Sequence, residues 1–208
     1  MVSKVDLRTN DTRKRVIEEA KRMFLEGGYN HLSMDKISEI LGLKRPTLYY
    51  HFPGGKEQLL VETIRTFANE LITAWREAIT TGDSARSRLR NILDTVSTHP
   101  LPENKRTFVI ELWQLGEEVR TAVADIYQQI FTLLSEVLEE GIEKGEIRPV
   151  ELELAIHSFL GLCDQIENTI MAKQFFAELS PIVNRFEQKD LVDKMFDMWL
   201  HGMAVSSS

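Results

Sequence analysis

Apolar side chains recur along this chain at three- and four-residue spacing and never alternate with polar ones long enough to suggest a strand, so the pattern predicts helix after helix. Val16, Ile17, Ala20 and Phe24 share one helical face, with Arg13, Lys14, Glu18, Lys21 and Arg22 on the others. Asn10 or Asp11 can cap the start of this helix, and Gly27-Gly28 is expected to end it. Ser33 is an N-cap residue type, followed by Asp35 where a carboxylate favours the helix dipole. Ile37, Ile40 and Leu41 form the apolar stripe of this second helix, and Gly42 breaks it. Pro46 is tolerated at a first helical position, where its missing N–H would have no partner. A short third helix is therefore expected over 46–52, with Leu48 and Phe52 one turn apart on its buried side.

Pro53-Gly54-Gly55 then stops the chain before a long helix, about 56–80, whose stripe is Leu60, Ile64, Phe67, Leu71 and Trp75. Further helices are expected over about 84–98, 104–115, 118–144, 150–177 and 188–203, broken at His99 to Pro102, Gly116, Gly145 to Pro149 and Ser180-Pro181. The first three helices are too short to bury a generous core alone. Leu59, Leu60 or Ile64 of the long helix should pack back onto Ile17, Phe24 and Leu48, while Leu71 and Trp75 belong to a larger C-terminal bundle. The fold class is all-α: a three-helix domain of about 10–70 joined through its long fourth helix to a bundle of about 71–205.

Composition narrows the class. The chain has 208 residues, 43% hydrophobic and 27% charged, enough for a core and unlike a disordered chain. No apolar run suits a membrane span, and the polar first ten residues hold no signal-peptide core, so a cytoplasmic protein with no membrane partner is expected. Cys163 is the one cysteine, which excludes an internal disulfide and a multi-thiolate metal site. Net charge is −7 but unevenly spread: residues 1–60 carry 11 Lys+Arg against 8 Asp+Glu, whereas 61–208 carry 14 against 24. Phosphate contacts are local, so a basic N-terminal quarter is compatible with DNA.

The segment 33–52 is helix, glycine turn, helix, the compact unit whose second helix can enter a major groove. With Leu48 and Phe52 inward, Arg45, Thr47, Tyr50 and His51 face outward, and Lys44 lies just ahead. Arginine can pair with guanine and threonine can touch a base or a thymine methyl, while tyrosine, histidine and lysine can donate to phosphates. Lys56 begins the fourth helix, where its ammonium and free backbone amides can both face a phosphate. Tyr49 and Tyr50 could equally be half-buried packing residues.

Three stretches, LSMDKISEILGL at 32–43, PTLYYHF at 46–52 and KEQLL at 56–60, together with Thr12, Ile17, Ala20, Phe24, Gly28 and Tyr29, closely resemble the DNA-binding domain of the TetR/AcrR family over about residues 10–70. The resemblance implies that Arg45, Pro46 and Thr47 meet bases. It implies that Tyr49, Tyr50 and His51 contact phosphates, that Lys56 grips one, and that Ser33 caps a helix and touches another. Pro46 stands where many members have glycine or alanine, and the linker before Lys56 is one residue longer than the commonest form.

For the remainder, the resemblance implies a homodimer through about 150–177 and 188–203 on a near-palindromic, double-stranded operator, and a small-molecule effector in the C-terminal body. Leu152, Ala155, Ile156, Phe159, Leu160 and Cys163, with Leu191, Met195, Met198 and Trp199, supply candidate interface faces, or else core. Trp75, Phe108, Trp113, Tyr127, Phe131, Phe159, Met171 and Phe175 are candidate effector contacts, although such side chains also serve as core. Asp164 is a candidate polar contact, beside His99, Gln114, His157, Gln165 and Glu167.

No catalytic pattern competes. There is no phosphate-cradling glycine loop, no HExxH zinc helix and no Glu-x-x-His pair, and His157 lies six residues from Cys163, on a different helical face. No enzyme activity, cofactor or metal is expected. The reading is a repressor released by its effector. A small-molecule carrier and a protein-interaction adaptor, neither with a DNA role, stand as alternatives.

Overall fold

The computed structural model describes residues 4–96, 115–175 and 185–201. Among them are eight helices and no strand: α1 Lys4–His31, α2 Met34–Leu41, α3 Arg45–His51, α4 Gly55–Thr80, α5 Ala85–Val96, α6 Glu117–Glu143, α7 Leu152–Phe175 and α8 Gln188–Leu200. The helix expected over 104–115 falls outside the described residues apart from its last position.

The chain forms two compact units. The first takes in the residues up to Glu70 and, besides them, the stretch ending at Tyr127; the second holds the remainder. The expected division into 10–70 and 71–205 thus omits one segment of the first unit. Val119 and Ala122 of α6 are completely buried in the same apolar cluster as Phe24, Leu48, Leu60 and Ile64. Leu115, Val123 and Ile126 pack against that cluster. α1 and the two short helices α2 and α3 need more apolar cover than α4 supplies, and the first turns of α6 provide it. Gly116, just before α6, lies so near the start of α4 that a Cβ there would collide with the Glu57 carboxylate.

Within the first unit, α1 starts earlier than expected and crosses the glycine pair. Gly27 (φ −157°) and Gly28 (φ 66°) are a kink inside one long element, with a further turn to His31. Ser33 caps α2 as expected, accepting from the Lys36 N–H at 3.4 Å. Gly42 closes α2 in the left-handed region (φ 63°, ψ 30°), and the Leu43 N–H donates to the Ser38 carbonyl at 2.9 Å. This is a glycine C-cap, which turns the chain into α3 without an unpaired amide. Ile37 is fully buried, but Ile40, expected on the same stripe, is 53% exposed. A helix of eight residues inserts one narrow edge, and Ile40 lies beyond it.

Polar groups hold α4 to α1. The Gly54 N–H donates to Gln58 Oε1 at 2.8 Å, and Gln58 Nε2 to Glu62 Oε1 at 3.0 Å. Glu62 pairs in turn with Arg13, whose guanidinium lies 5.3 Å from the centre of the Phe52 ring. Lys21 Nζ meets Glu70 Oε2 at 2.5 Å further along.

The second unit is built on α5, α7, α8 and the remainder of α4 and α6. Its core includes Trp75, Leu89, Ile92, Leu134, Ile156, Phe159, Ile166 and Phe196. The Ala85 N–H at the start of α5 donates to Glu146 Oε2 at 2.6 Å, a carboxylate on free helix amides. Arg90 ties α5 to α8 through Asp193 at 2.5 Å, and Arg86 pairs with Asp197. Trp199 Nε1 on α8 donates to Ser158 Oγ on α7 at 2.8 Å, and its ring meets Phe159 edge-on at 5.2 Å. No helix among the described residues is long and apolar enough to cross a membrane.

Candidate nucleic-acid interface

Burial alone sorts α3. Leu48 and Phe52 are fully buried, which pins the helix to the core of the first unit by its inner side. Lys44, Arg45, Pro46 and Thr47 are all exposed, as are Tyr49 at 48% and Tyr50 at 76%. Tyr50 at that exposure is not a packing residue. The cluster is one contiguous outward surface on a seven-residue helix, with the N-cap lysine ahead of it and no acidic residue in its first turn.

His51 is half-buried and sits at the edge of that surface, its ring 5.4 Å from Tyr50 and 6.5 Å from Phe52. Burial, and after it the positive Arg13 guanidinium, push the imidazole below its ordinary pKa. The imidazole therefore favours its neutral form in the free protein more than an exposed histidine does. Lys56 stands in the first turn of α4, with its Nζ 3.8 Å from the centre of the Tyr29 ring. Burial lowers its pKa. Gly55 takes φ 66°, and Tyr49 packs at van der Waals distance from the place where its Cβ would stand. Tyr49 thus touches the linker into α4, and Tyr29 touches the lysine that follows it.

Arg45 Nη2 meets Asp35 Oδ2 at 2.6 Å, joining the first residue of α3 to the first turn of α2. Sequence reasoning treated Asp35 only as a partner for the helix dipole, and it missed Arg13 and Tyr29 as neighbours of His51 and Lys56. Hydrophobic periodicity carries no signal for such contacts between elements.

The candidate effector residues scatter. Trp75 and Phe159 are buried in the core of the second unit, with Phe131 packed partly buried against it. Trp75 Nε1 is buried with no hydrogen-bond partner among the described residues. Tyr127 is 41% exposed and falls in the first unit, so it does not join the others. Asp164 is exposed, whereas Glu167, one turn on, is buried. The inward carboxylate is therefore Glu167, because the Ile156-Phe159-Ile166 side of α7 turns that residue toward the core. Phe108 and Trp113 lie outside the described residues, as do the side chains of Met171 and Phe175.

The interface candidates also sort by burial. Ala155, Ile156, Phe159, Cys163 and Leu191 are buried within this chain's own core and are not free for a partner. Leu152, Leu160, Met195 and Trp199 pack partly buried against that core. The large apolar side chains left outward are Leu154 at 69% on α7 and Met198 at 78% on α8.

Two family models match the chain in tandem: one for bacterial regulatory proteins of the tetR family over residues 16–63, one for a tetracyclin repressor-like C-terminal domain over 82–168. The chain belongs to the TetR family. It is a DNA-binding transcriptional regulator and not an enzyme, and the carrier and adaptor alternatives fall away.

Its relatives include the fatty acid metabolism regulator protein of Bacillus subtilis, 25% identical over 74% of this chain and 81% of that one. The transcriptional repressor KstR2 of Rhodococcus jostii is 28% identical over 69% and 72%. The transcriptional activator FasR of Mycolicibacterium smegmatis is 26% identical over 70% and 68%. Among solved structures, FadR of Bacillus subtilis in complex with stearoyl-CoA matches 91% of this chain and 98% of its own (TM-score 0.68, 21% identity). A regulator from Saccharomonospora viridis in complex with choline matches 94% and 99% (TM-score 0.73, 19% identity). At these identities the structural likeness concerns the fold.

Proposed function

We infer that this regulator is an effector-responsive repressor that acts in the cytoplasm as a homodimer on a near-palindromic operator. The observation that carries the reading is the outward surface of α3. Arg45 and Thr47 present base-reading chemistry there, Tyr49, Tyr50 and His51 on the same helix offer donors to phosphates, and Ser33 and Lys56 stand at the starts of α2 and α4. In a dimer of helix-turn-helix units, half-sites lie about 34–36 Å apart, and effector binding would release DNA by favouring a form that misses this spacing. An effector can do so only if it binds the two forms with different affinity.

Two helices offer the route. α4 runs unbroken from Gly55 to Thr80, placing Leu60 and Ile64 in the first core and Leu71 and Trp75 in the second. α6 does the same with Val119 and Ala122, then Leu133 and Leu134. Inserting one residue in α4 between Arg65 and Glu70 should uncouple effector binding from DNA release, and induction that survives it unchanged refutes the route through α4.

The buried Trp75 indole and the buried Glu167 carboxylate place hydrogen-bonding chemistry among the buried, mostly apolar side chains of the second unit, as a pocket for a partly polar effector requires. The likeness to proteins crystallised with stearoyl-CoA and with choline suggests the ligands to try first. Selection of bound duplexes from a random pool, followed by titration of the complex with a long-chain acyl-CoA and with choline, tests the reading. A recovered half-site repeated as a near-palindrome supports it, and sequence-independent binding alone refutes it. A reporter downstream of the recovered site fixes the sign: expression should rise when the regulator is deleted.

A further inference from the structure

The ion pair between Asp35 and Arg45 joins two exposed side chains, 63% and 68% exposed respectively. A pair so open to water contributes little to folding, so stability does not account for its place. Its ends are nevertheless fixed. Asp35 stands in the first turn of α2, behind the Ser33 cap. Arg45 begins α3, whose backbone is set by the left-handed Gly42 turn and by the buried Ile37 and Leu48. One otherwise flexible side chain on the DNA-facing surface is therefore tethered across the helix-turn-helix, at a position from which it can reach a base.

We propose that Asp35 is a specificity-determining positioning residue: it holds the Arg45 guanidinium for a base edge and keeps it from binding backbone phosphate. The proposal rests on the reading of Arg45 as a base contact. Four of the five N–H donors of a guanidinium form two two-donor edges, and Nη2 contributes one hydrogen to each. Asp35 takes one hydrogen of Nη2, and whichever it takes, one complete edge remains to pair with the O6 and N7 of guanine. Fixing the long side chain beforehand removes ordering entropy from the specific complex. The carboxylate also repels phosphate oxygens that would otherwise attract a free guanidinium, which penalises non-specific binding.

Full-length wild type, Asp35→Asn, Arg45→Ala and the double variant should be titrated over a salt series. The duplexes are the one recovered from a random pool by the wild type, the same duplex with each base pair substituted in turn, and an unrelated sequence. Arg45→Ala should flatten discrimination at one base pair of each half-site. Asp35→Asn should reduce discrimination at that same pair by about two- to fivefold, the range an exposed ion pair can supply. It should also tighten binding to the unrelated duplex and steepen its salt slope by about one, as the freed guanidinium takes a phosphate. In the double variant, Asp35→Asn should add nothing to the loss of discrimination. A uniform change across all duplexes, present in the double variant too, would make Asp35 a purely structural residue and overturn the proposal. If Arg45→Ala flattens discrimination and Asp35→Asn does not, the proposal alone fails; if Arg45→Ala leaves every base pair discriminated, the base-contact reading fails with it. Equal melting temperatures of wild type and Asp35→Asn establish that neither result comes from misfolding.

Discussion

The Lys56 ammonium lies 3.8 Å from the centre of the Tyr29 ring, so a residue just past the kink in α1 holds the first lysine of α4. The contact keeps the charge beside the free amides of the α4 N-terminus, where a phosphate would be held by both. Lys56→Ala should weaken binding to every duplex alike and lower the magnitude of the salt slope by about one. Tyr29→Leu should weaken binding by a smaller uniform factor, about two- to fivefold, as a cation–π contact at a partly exposed site allows. Salt-dependent titration separates the two: the slope changes with the lysine and stays with the tyrosine. Loss of sequence discrimination in either variant would contradict this assignment.

His51 links binding to pH, with a sign that follows from its surroundings. Burial and Arg13 lower its pKa in the free protein, and a phosphate within reach would raise it in the complex. Complex formation should then take up a proton at pH values between the two pKa values. Affinity is expected to rise as pH falls through the bound-state value and to level off below the free-state value. Folding has the opposite sign. The native pKa lies below the unfolded value, so stability is lost as pH falls through the unfolded value near 6.5 toward the native one. His51→Gln should flatten both profiles. A DNA titration from pH 8 to 5 beside thermal melts over the same range checks this, and a rise in affinity that persists in His51→Gln would assign the proton elsewhere.

Stability of the DNA-binding unit should depend on α3's anchor and on the turn before it. Leu48 is fully buried, and Leu48→Ala should cost about 2–5 kcal/mol through lost transfer energy and the cavity left behind. Gly42 meets nothing within 4 Å of its Cβ direction, so Gly42→Ala carries only the backbone penalty of φ 63°, about 1–2 kcal/mol. Denaturant unfolding of the full chain measures both. A cost for Gly42→Ala well above that of Leu48→Ala would mean that the turn carries more than its dihedral angle.

Leu48 and Phe52 were legible in the sequence because they sit one turn apart beside a glycine stop and a proline start, and burial follows from that spacing. Ser33 and Gly42 were legible for the same local reason, capping the two ends of α2. The roles that escaped are set between helices. Nothing in the apolar period of α6 shows that Val119 and Ala122 serve one core and Leu133 and Leu134 another. Asp164 and Glu167 lie one turn apart amid apolar neighbours, so a small rotation of α7 decides which carboxylate turns inward. The tethering of Arg45 by Asp35 joins two residues of ordinary surface type, with no periodicity to mark it.

The same sorting by burial bears on where a second copy of the chain would dock in the proposed homodimer. The apolar face expected from Ala155, Ile156, Phe159 and Cys163 is taken up by this chain's own core. On α7, Leu154, His157, Ser158, Gly161, Gln165 and Asn168 remain exposed at helical spacing, with Gly161 open to the close approach of another helix. On α8, Met198 is exposed one turn from Lys194 and three residues before His201. If these faces meet their copies across a two-fold axis, a charge at Leu154 or Met198 is brought against its own image and both are desolvated. Leu154→Asp and Met198→Asp should therefore shift the chain toward monomer and weaken the dependence of its melting temperature on protein concentration. Phe159→Asp would instead unfold the second unit, because Phe159 is buried in the single chain. Sedimentation equilibrium with circular dichroism tells the outcomes apart. Folded monomers from Leu154→Asp and Met198→Asp support this face, and folded dimers as tight as the wild type from both would place the interface elsewhere.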